Sequence, residues 1–179
     1  MTIIAFCGLK GSGKTTAAEH IVRKYPYTRM SFAGPLKEAA MTMFDLSPQQ
    51  VYEMPFKEEI DERWGITPRE ILQRLGTEVG REFDKDLWIK NLKSRAEKSE
   101  TSIVIDDCRF FNESEAIKSM GGHVIGIKRA DLKASNHASE LEMDENWSRM
   151  VDCTIWNLTD MQSFITKVDF AIQSILLKI

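Results

Sequence analysis

Ile3-Ile4-Ala5-Phe6-Cys7-Gly8-Leu9-Lys10-Gly11-Ser12-Gly13-Lys14-Thr15-Thr16, near the start of the chain, is the stretch that decides the fold. Five apolar residues run without a polar break into a glycine-rich turn, the pattern of a parallel strand covered on both faces. Gly8 to Thr15 matches G-x-x-x-x-G-K-[ST], the Walker A pattern, at every specified position. Beyond it Ala17, Ala18, Ile21 and Val22 recur at helical spacing until Pro26 enforces a stop. A strand entering and a helix leaving such a loop let backbone N–H groups converge on phosphate oxygens at the positive end of the helix. The glycines permit the close approach. Leu9, Lys10, Gly11, Ser12, Gly13, Lys14, Thr15 and Thr16 are therefore expected to bind the phosphates of a nucleoside triphosphate. Lys14 would bridge the terminal phosphates, and the Thr15 hydroxyl would be a ligand for Mg²⁺. A glycine-rich turn without a ligand is the bland alternative, and motif and context together count against it.

The rest of the chain alternates strand and helix signals. Thr28 to Phe32 reads as a short second strand, and Gly34-Pro35 starts a helix with Leu36, Ala39, Ala40, Met43 and Phe44 on its apolar face. Between 47 and 66, Pro48, Pro55, charges and Gly65 interrupt any sustained period, leaving short helical pieces and loops. Thr67-Pro68-Arg69-Glu70 is a helix start, with threonine as N-cap, proline in the first turn and a glutamate three residues after the cap. That helix runs to about Glu82, and another covers about Asp86 to Lys98 with Leu87, Trp88, Ile89 and Leu92 on its buried side. Ser102 to Asp106, His123 to Lys128 and Cys153 to Trp156 read as further strands, and Glu113 to Met120 and Asp160 to Leu177 as helices. Strands separated by helices predict a doubly wound, three-layer α/β fold with a parallel sheet of roughly five strands.

The 179 residues, 42% hydrophobic and 28% charged, suffice for one core and not for two ordinary domains, so a single domain over 1–179 is expected. A net charge of −3 and a pI near 5.7 give no broad electrostatic reason to hold a nucleic-acid polymer or an anionic membrane. A small anionic substrate would need local basic residues. The opening apolar stretch is too short for a secretory signal, and no later run approaches the roughly 18 residues of a membrane span. A soluble, cytoplasmic protein is expected. Cys7, Cys108 and Cys153, far apart and without C-x-x-C spacing, read as buried thiols rather than disulfide or zinc ligands. Apolar surplus on the outer side of the last helix is compatible with a homodimer and equally with completing the core.

A phosphate-binding loop needs a carboxylate for its metal. Ile103-Val104-Ile105-Asp106 delivers one at the C-terminal end of an apolar strand, where open α/β sheets bind ligands. Asp107 follows and points to the opposite side if the strand persists, so either aspartate can be the functional one. Basic residues stand where an anionic second substrate could dock: Lys37, Arg69, Arg74, Arg81, Arg109 and Arg129. Arg109 and Arg129 each lie just beyond a predicted strand, on the ligand-binding edge. The absence of Asn-Lys-x-Asp weakens a GTPase reading, and the small size leaves little room for a mechanical ATPase.

Ser31-Phe32-Ala33-Gly34-Pro35-Leu36-Lys37, Leu72-Gln73-Arg74-Leu75-Gly76-Thr77-Glu78 and Asp106-Asp107-Cys108-Arg109-Phe110-Phe111-Asn112-Glu113, together with the phosphate loop, resemble the phage-type deoxynucleoside monophosphate kinases. The resemblance implies an adenylate-kinase-like fold, ATP with Mg²⁺ as donor and a deoxynucleoside monophosphate as acceptor. It implies an acceptor-binding helical region at about 34–98 and a lid-like segment at about 129–145, containing Lys133, His137 and Glu140. Lys14, Asp106, Arg109 and Arg129 would serve catalysis, with Thr15 and Asp106 at the metal. Lys37, Arg69 and Arg74 would hold the acceptor phosphate, while Gln73, Thr77 and Trp88 approach sugar or base. Phe32, Asp107, Arg109 and Glu113 complete the acceptor set. Asn157-Leu158-Thr159, after the last strand, would lie at the adenine of ATP, and closure of the lid-like segment would bring Arg129, a further ATP-binding residue, to the transferring group. Other acceptors, of the dephospho-coenzyme A or phosphomevalonate type, and a non-catalytic nucleotide-dependent binding module stay open as rivals.

Overall fold

The apolar run Ile3–Cys7 forms strand β1, and all five of its residues are buried. The structure, a computed structural model, describes residues 1–132, 138–158 and 160–177. Four more strands follow: β2 (Tyr27–Met30), β3 (Ser102–Cys108), β4 (His123–Lys128) and β5 (Cys153–Trp156). The α-helices are α1 (Lys14–Lys24), α2 (Gly34–Phe44), α3 (Pro48–Tyr52), α4 (Pro68–Gln73), α5 (Gly80–Phe83), α6 (Leu87–Ala96), α7 (Phe111–Ser119), α8 (Ala138–Met150) and α9 (Met161–Leu176). The chain divides into two compact units, Met1–Ser31 with Ser94–Ile179, and Phe32–Lys93.

In the first unit the five strands make one sheet, ordered β2-β3-β1-β4-β5, with every pairing parallel. This is the doubly wound sheet that the sequence predicts. Alternation along β1 divides its surroundings. Ile4 and Phe6 join Val104, Ile125 and Ile127 in a core closed by Ala17 and Ile21 of α1 and by Phe164, Val168 and Ile172 of α9. Burial of Phe164, 1% exposed, contributes about 2 kcal/mol on its own. Ile3 lies on the other face, where a Cβ on Gly122 would meet both Ile3 and Ile117 of α7 at 2.9 Å. Helix α8 rests on α7, fastened by the Ser114 hydroxyl, which donates to Met150 O at 2.7 Å.

The chain leaves β1 toward β2 and leaves β3 toward β4, in opposite directions across the sheet. A crevice opens at such a point outside the C-terminal strand ends. The β1–β3 register also slips there: Ala5 faces Ile105, yet Cys7 faces Cys108, so β3 spends one extra residue across this interval. Asp106 and Asp107 fall in that bulge, a device that re-aims side chains beside a site. Strand β3 runs two residues past Asp106, its predicted end, and β2 is displaced toward the N-terminus of its predicted range. Cys7 and Cys108 are buried as expected, whereas Cys153 is exposed, because it opens the edge strand β5.

The second unit is helical, around Ala40, Leu46, Val51, Ile71 and Leu72. The irregular stretch between α3 and α4 is held by buried Asp61, which accepts hydrogen bonds from Gln50 Nε2 at 2.9 Å and from Arg63 NH2 at 2.7 Å. The Arg63 guanidinium holds the Asp61 carboxyl well below the usual carboxylate range. Thr67 caps α4 as expected, its side chain accepting from Glu70 N at 3.1 Å. The single helix predicted from Pro68 to Glu82 is instead α4, a π-helical stretch at Arg74–Val79, then α5. Two close approaches accompany the change of winding. A Cβ on Gly76 would lie 2.8 Å from Leu36 Cδ2, and one on Gly80 would lie 2.7 Å from the Trp88 ring. The Trp88 Nε1–H donates to Gly76 O at 2.9 Å. Wider turns of this kind free backbone groups that need a partner.

Trp88→Phe removes the donor together with the indole atoms that lie against Gly80. A stability loss of about 1–3 kcal/mol is expected. It would be read as a lower urea midpoint at unchanged slope; an unchanged midpoint would show that this hydrogen bond carries no net stability.

Candidate functional site

The loop between β1 and α1 is shaped for close approach. Gly8 has φ 153° and Gly13 φ 113°, values that disfavour any side chain. A Cβ on Gly8 would press on Ile127 O and lie 2.7 Å from Ser12 Oγ; one on Gly13 would lie 3.0 Å from both Asn157 Nδ2 and Phe164 Cζ. Gly13 is the N-cap of helix α1, which has no side-chain cap and no acidic residue in its first turn. Its N-terminal N–H groups are thus left to an anion. The buried Ser12 hydroxyl has no hydrogen-bond partner among the described residues.

Lys14 is 7% exposed, and its ammonium donates to Gly8 O at 2.7 Å and Leu9 O at 2.8 Å. Burial, then the positive charge of Arg109, lowers its pKa to about 8, against partial support from Asp107 and Asp106. A cation so placed gains from any negative charge brought into the loop. The Thr15 hydroxyl donates to Asp106 Oδ2 at 3.0 Å. Arg29 of β2 reaches the same oxygen at 2.5 Å, with its other terminal nitrogen 3.5 Å from Glu19. Sequence reasoning missed Arg29, since its meeting with Asp106 depends on the β2–β3 register, which sets Arg29 opposite Val104.

Hydroxyl and carboxylate oxygens at this spacing are hard donors that suit Mg²⁺, an ion that takes one or two protein ligands and keeps waters and phosphate oxygens for the rest. Among the described residues no group of three or more His, Cys, Asp or Glu could cage a metal alone. Asp107 is half-buried. Arg109 lies 3.9 Å from buried Glu140 of α8. Glu113, expected at the acceptor, is 3% exposed, and its carboxylate accepts from Arg109 N at 2.8 Å and Phe110 N at 3.1 Å. It shapes the turn that carries Arg109.

On the far side of the loop a cavity of about 430 Å³ is lined by Thr16, Arg129, Asn157, Leu158, Met161 and Phe164, with the loop glycines. Arg129 leans toward the loop, 3.4 Å from Gly11 O, and is paired with both oxygens of Asp131 at 3.0 and 2.8 Å. Asn157 fastens the last strand to the loop by donating to Ser12 O at 2.9 Å. Thr159, Lys133 and His137 lie outside the described residues. The 138–145 part of the expected lid is the first half of α8, with Met143 2% exposed and Glu142 accepting from Phe111 N at 2.8 Å.

The structure thus brings together Leu9 to Thr16, Asp106, Asp107, Arg109, Arg129 and Asn157 in the first unit. Phe32, Lys37, Arg69, Gln73, Arg74, Thr77 and Trp88 belong to the second. There Phe32 is buried, Lys37 Nζ stands 4.5 Å over the Tyr52 ring, and Gln73 and Thr77 are half-buried. Arg69 pairs with Glu58 and Arg74 with Glu70, so each would exchange a carboxylate for a phosphate.

Residues 43–168 match the family model described as deoxynucleotide monophosphate kinase. The chain is 33% identical to a protein of Acanthamoeba polyphaga mimivirus provisionally named a deoxynucleotide monophosphate kinase, over 94% of each. In fold it is similar to shikimate kinase from Acinetobacter baumannii, with TM-score 0.58, 14% identity and coverage of 99% and 94% of the two chains. It is likewise similar to dephospho-CoA kinase from Campylobacter jejuni, with TM-score 0.52, 16% identity and coverage of 97% and 96%.

Lys14 yields a pH signature. With its pKa at about 8 in the fold and 10.5 ordinarily, it binds fewer protons folded than unfolded between those values. Its contribution to stability therefore rises as pH climbs through that window. Wild type is expected to gain relative to Lys14→Met from pH 8 to 10 in urea midpoints; a constant gap would show that the lysine titrates normally.

Proposed function

We propose that this chain, which belongs to the deoxynucleotide monophosphate kinase family, transfers the γ-phosphate of ATP to a deoxynucleoside monophosphate. The products are ADP and the deoxynucleoside diphosphate. Membership makes it a phosphotransferase and a nucleotide kinase; the acceptor and the roles of single residues are our reading. The observation that carries it is the Thr15 hydroxyl at 3.0 Å from Asp106, beside a loop with a buried lysine and uncapped helix N–H groups.

In this mechanism the triphosphate lies along the Gly8–Thr15 loop, and Lys14 gives up its carbonyl partners for phosphate oxygens. The adenine fills the cavity against Leu158, Met161 and Phe164. Thr15 and Asp106 would hold Mg²⁺, which when bound would offset the negative charge of the phosphates. An anionic oxygen of the acceptor monophosphate attacks the γ-phosphorus. The bond to the β–γ bridging oxygen breaks, and its electron pair leaves with ADP. No side chain need act as base, because the attacking oxygen carries no proton near neutrality. Arg109 and Arg129 neutralise the charge that builds on the transferred group. Residues of the second unit, Lys37, Arg69 and Arg74 foremost, bind the acceptor phosphate, with Gln73, Thr77 and Trp88 toward sugar and base.

ADP production from Mg·ATP with each deoxynucleoside monophosphate in turn, beside ribonucleotide and no-acceptor controls, tests the reading. At least one deoxynucleotide is expected to stimulate turnover by about 100-fold or more, in keeping with positioned phosphoryl transfer. ATP binding without stimulation by any of them would overturn the proposed acceptor. Arg109→Ala is expected to lower kcat by roughly 100-fold while ATP affinity holds within about threefold. Equal losses in both would assign Arg109 to the donor instead.

A further inference from the structure

Asp106 has a second cationic neighbour besides any metal it serves. Its side chain is 7% exposed, and its Oδ2 accepts from the Thr15 hydroxyl at 3.0 Å and from Arg29 at 2.5 Å. Arg29 is set by the sheet: parallel pairing with β3 places it opposite Val104, on the face that Asp106 shares two residues further on. Its NH1 lies 3.5 Å from Glu19, one turn beyond Thr15 on α1. The guanidinium therefore spans from the carboxylate at the end of β3 to the helix that carries the metal hydroxyl.

We propose that Arg29 is a built-in counter-cation for the metal carboxylate, which makes the site a poor one for a free divalent ion and reserves it for an ion arriving with the nucleotide. The inference rests on the reading of Thr15 and Asp106 as the metal pair. Its logic is charge balance. Arg29 already pairs with Asp106 Oδ2 at 2.5 Å and Lys14 is buried beside the loop, so a lone divalent cation meets a carboxylate whose charge is already balanced. The phosphates of a nucleotide tip that balance, satisfying Lys14 and releasing Asp106 to share its oxygens. Metal and nucleotide then assist one another by the same factor in both directions. Arg29 acts on the ion through Asp106 and is a positioning residue.

Mn²⁺ titration followed by electron paramagnetic resonance, with and without a non-hydrolysable ATP analogue, tests this on the whole chain. Arg29→Gln is expected to bind Mn²⁺ alone about tenfold more tightly than wild type, the effect of removing one positive charge a few ångströms from a divalent ion. The mutual enhancement between Mn²⁺ and the analogue should fall by a similar factor. Glu19→Gln, an exposed change that keeps the inference testable should Arg29→Gln not fold, leaves Arg29 to Asp106 alone. It should weaken Mn²⁺ binding about twofold to threefold. Unchanged or weaker Mn²⁺ binding by Arg29→Gln, or tighter binding by Glu19→Gln, overturns the role of Arg29. Asp106→Asn separates that failure from failure of the metal pair: loss of Mn²⁺ binding with the analogue keeps the pair, and unchanged binding removes it.

Discussion

Because β1 and β3 pair in parallel, two segments far apart in sequence end side by side, and the chemistry collects at their shared end. The loop after β1 provides the lysine, the hydroxyl and the helix N-terminus, and the end of β3 provides the carboxylates and the turn to Arg109. Neither segment has a complete site alone. The register slip between Ala5 and Cys7 adds what a regular ladder could not, an extra residue that lets two successive aspartates sit at the crevice in different environments, one buried and one half-buried.

Packing around this pairing serves the loop as much as the core. Phe164 of α9 is buried among the sheet residues, and the same ring limits the space at Gly13. Asn157, just past β5, ties the loop from the other side. The loop is thus fixed by two elements it does not belong to, so its N–H groups would need little reordering to meet an anion. The buried lysine works in the opposite sense, since a desolvated ammonium on two carbonyls is stabilised less than it would be on a phosphate.

Much of this was legible in the chain itself. The strand, loop and helix at the start, the apolar run into Asp106 and the Thr67 cap are local patterns, each written within a few adjacent residues. The family segments around Gly76 and Arg109 were legible for the same reason. What escaped the sequence depends on register or winding. Arg29 meets Asp106 only through the alignment of two strands. The π-helical turn at Arg74–Val79 keeps a helical periodicity and betrays itself only by Gly76 and Gly80 lying under Leu36 and Trp88. Glu113 reads as one more acid near the site, and its burial against two backbone N–H groups is a property of the folded turn.

The cysteines divide the same way, with a practical outcome. Cys7 and Cys108 face each other across β1 and β3 at the root of the loop, both fully buried. The hydrogen bond with Cys7, then burial, pushes the Cys108 thiol well above its ordinary range, which keeps it protonated and inert to alkylating reagents. Cys153 alone is exposed, at the start of the strand that ends beside Asn157 and the cavity. A maleimide dye would therefore label the native chain at one position, at the end of β5 away from the cavity, giving an optical reporter without any engineered residue.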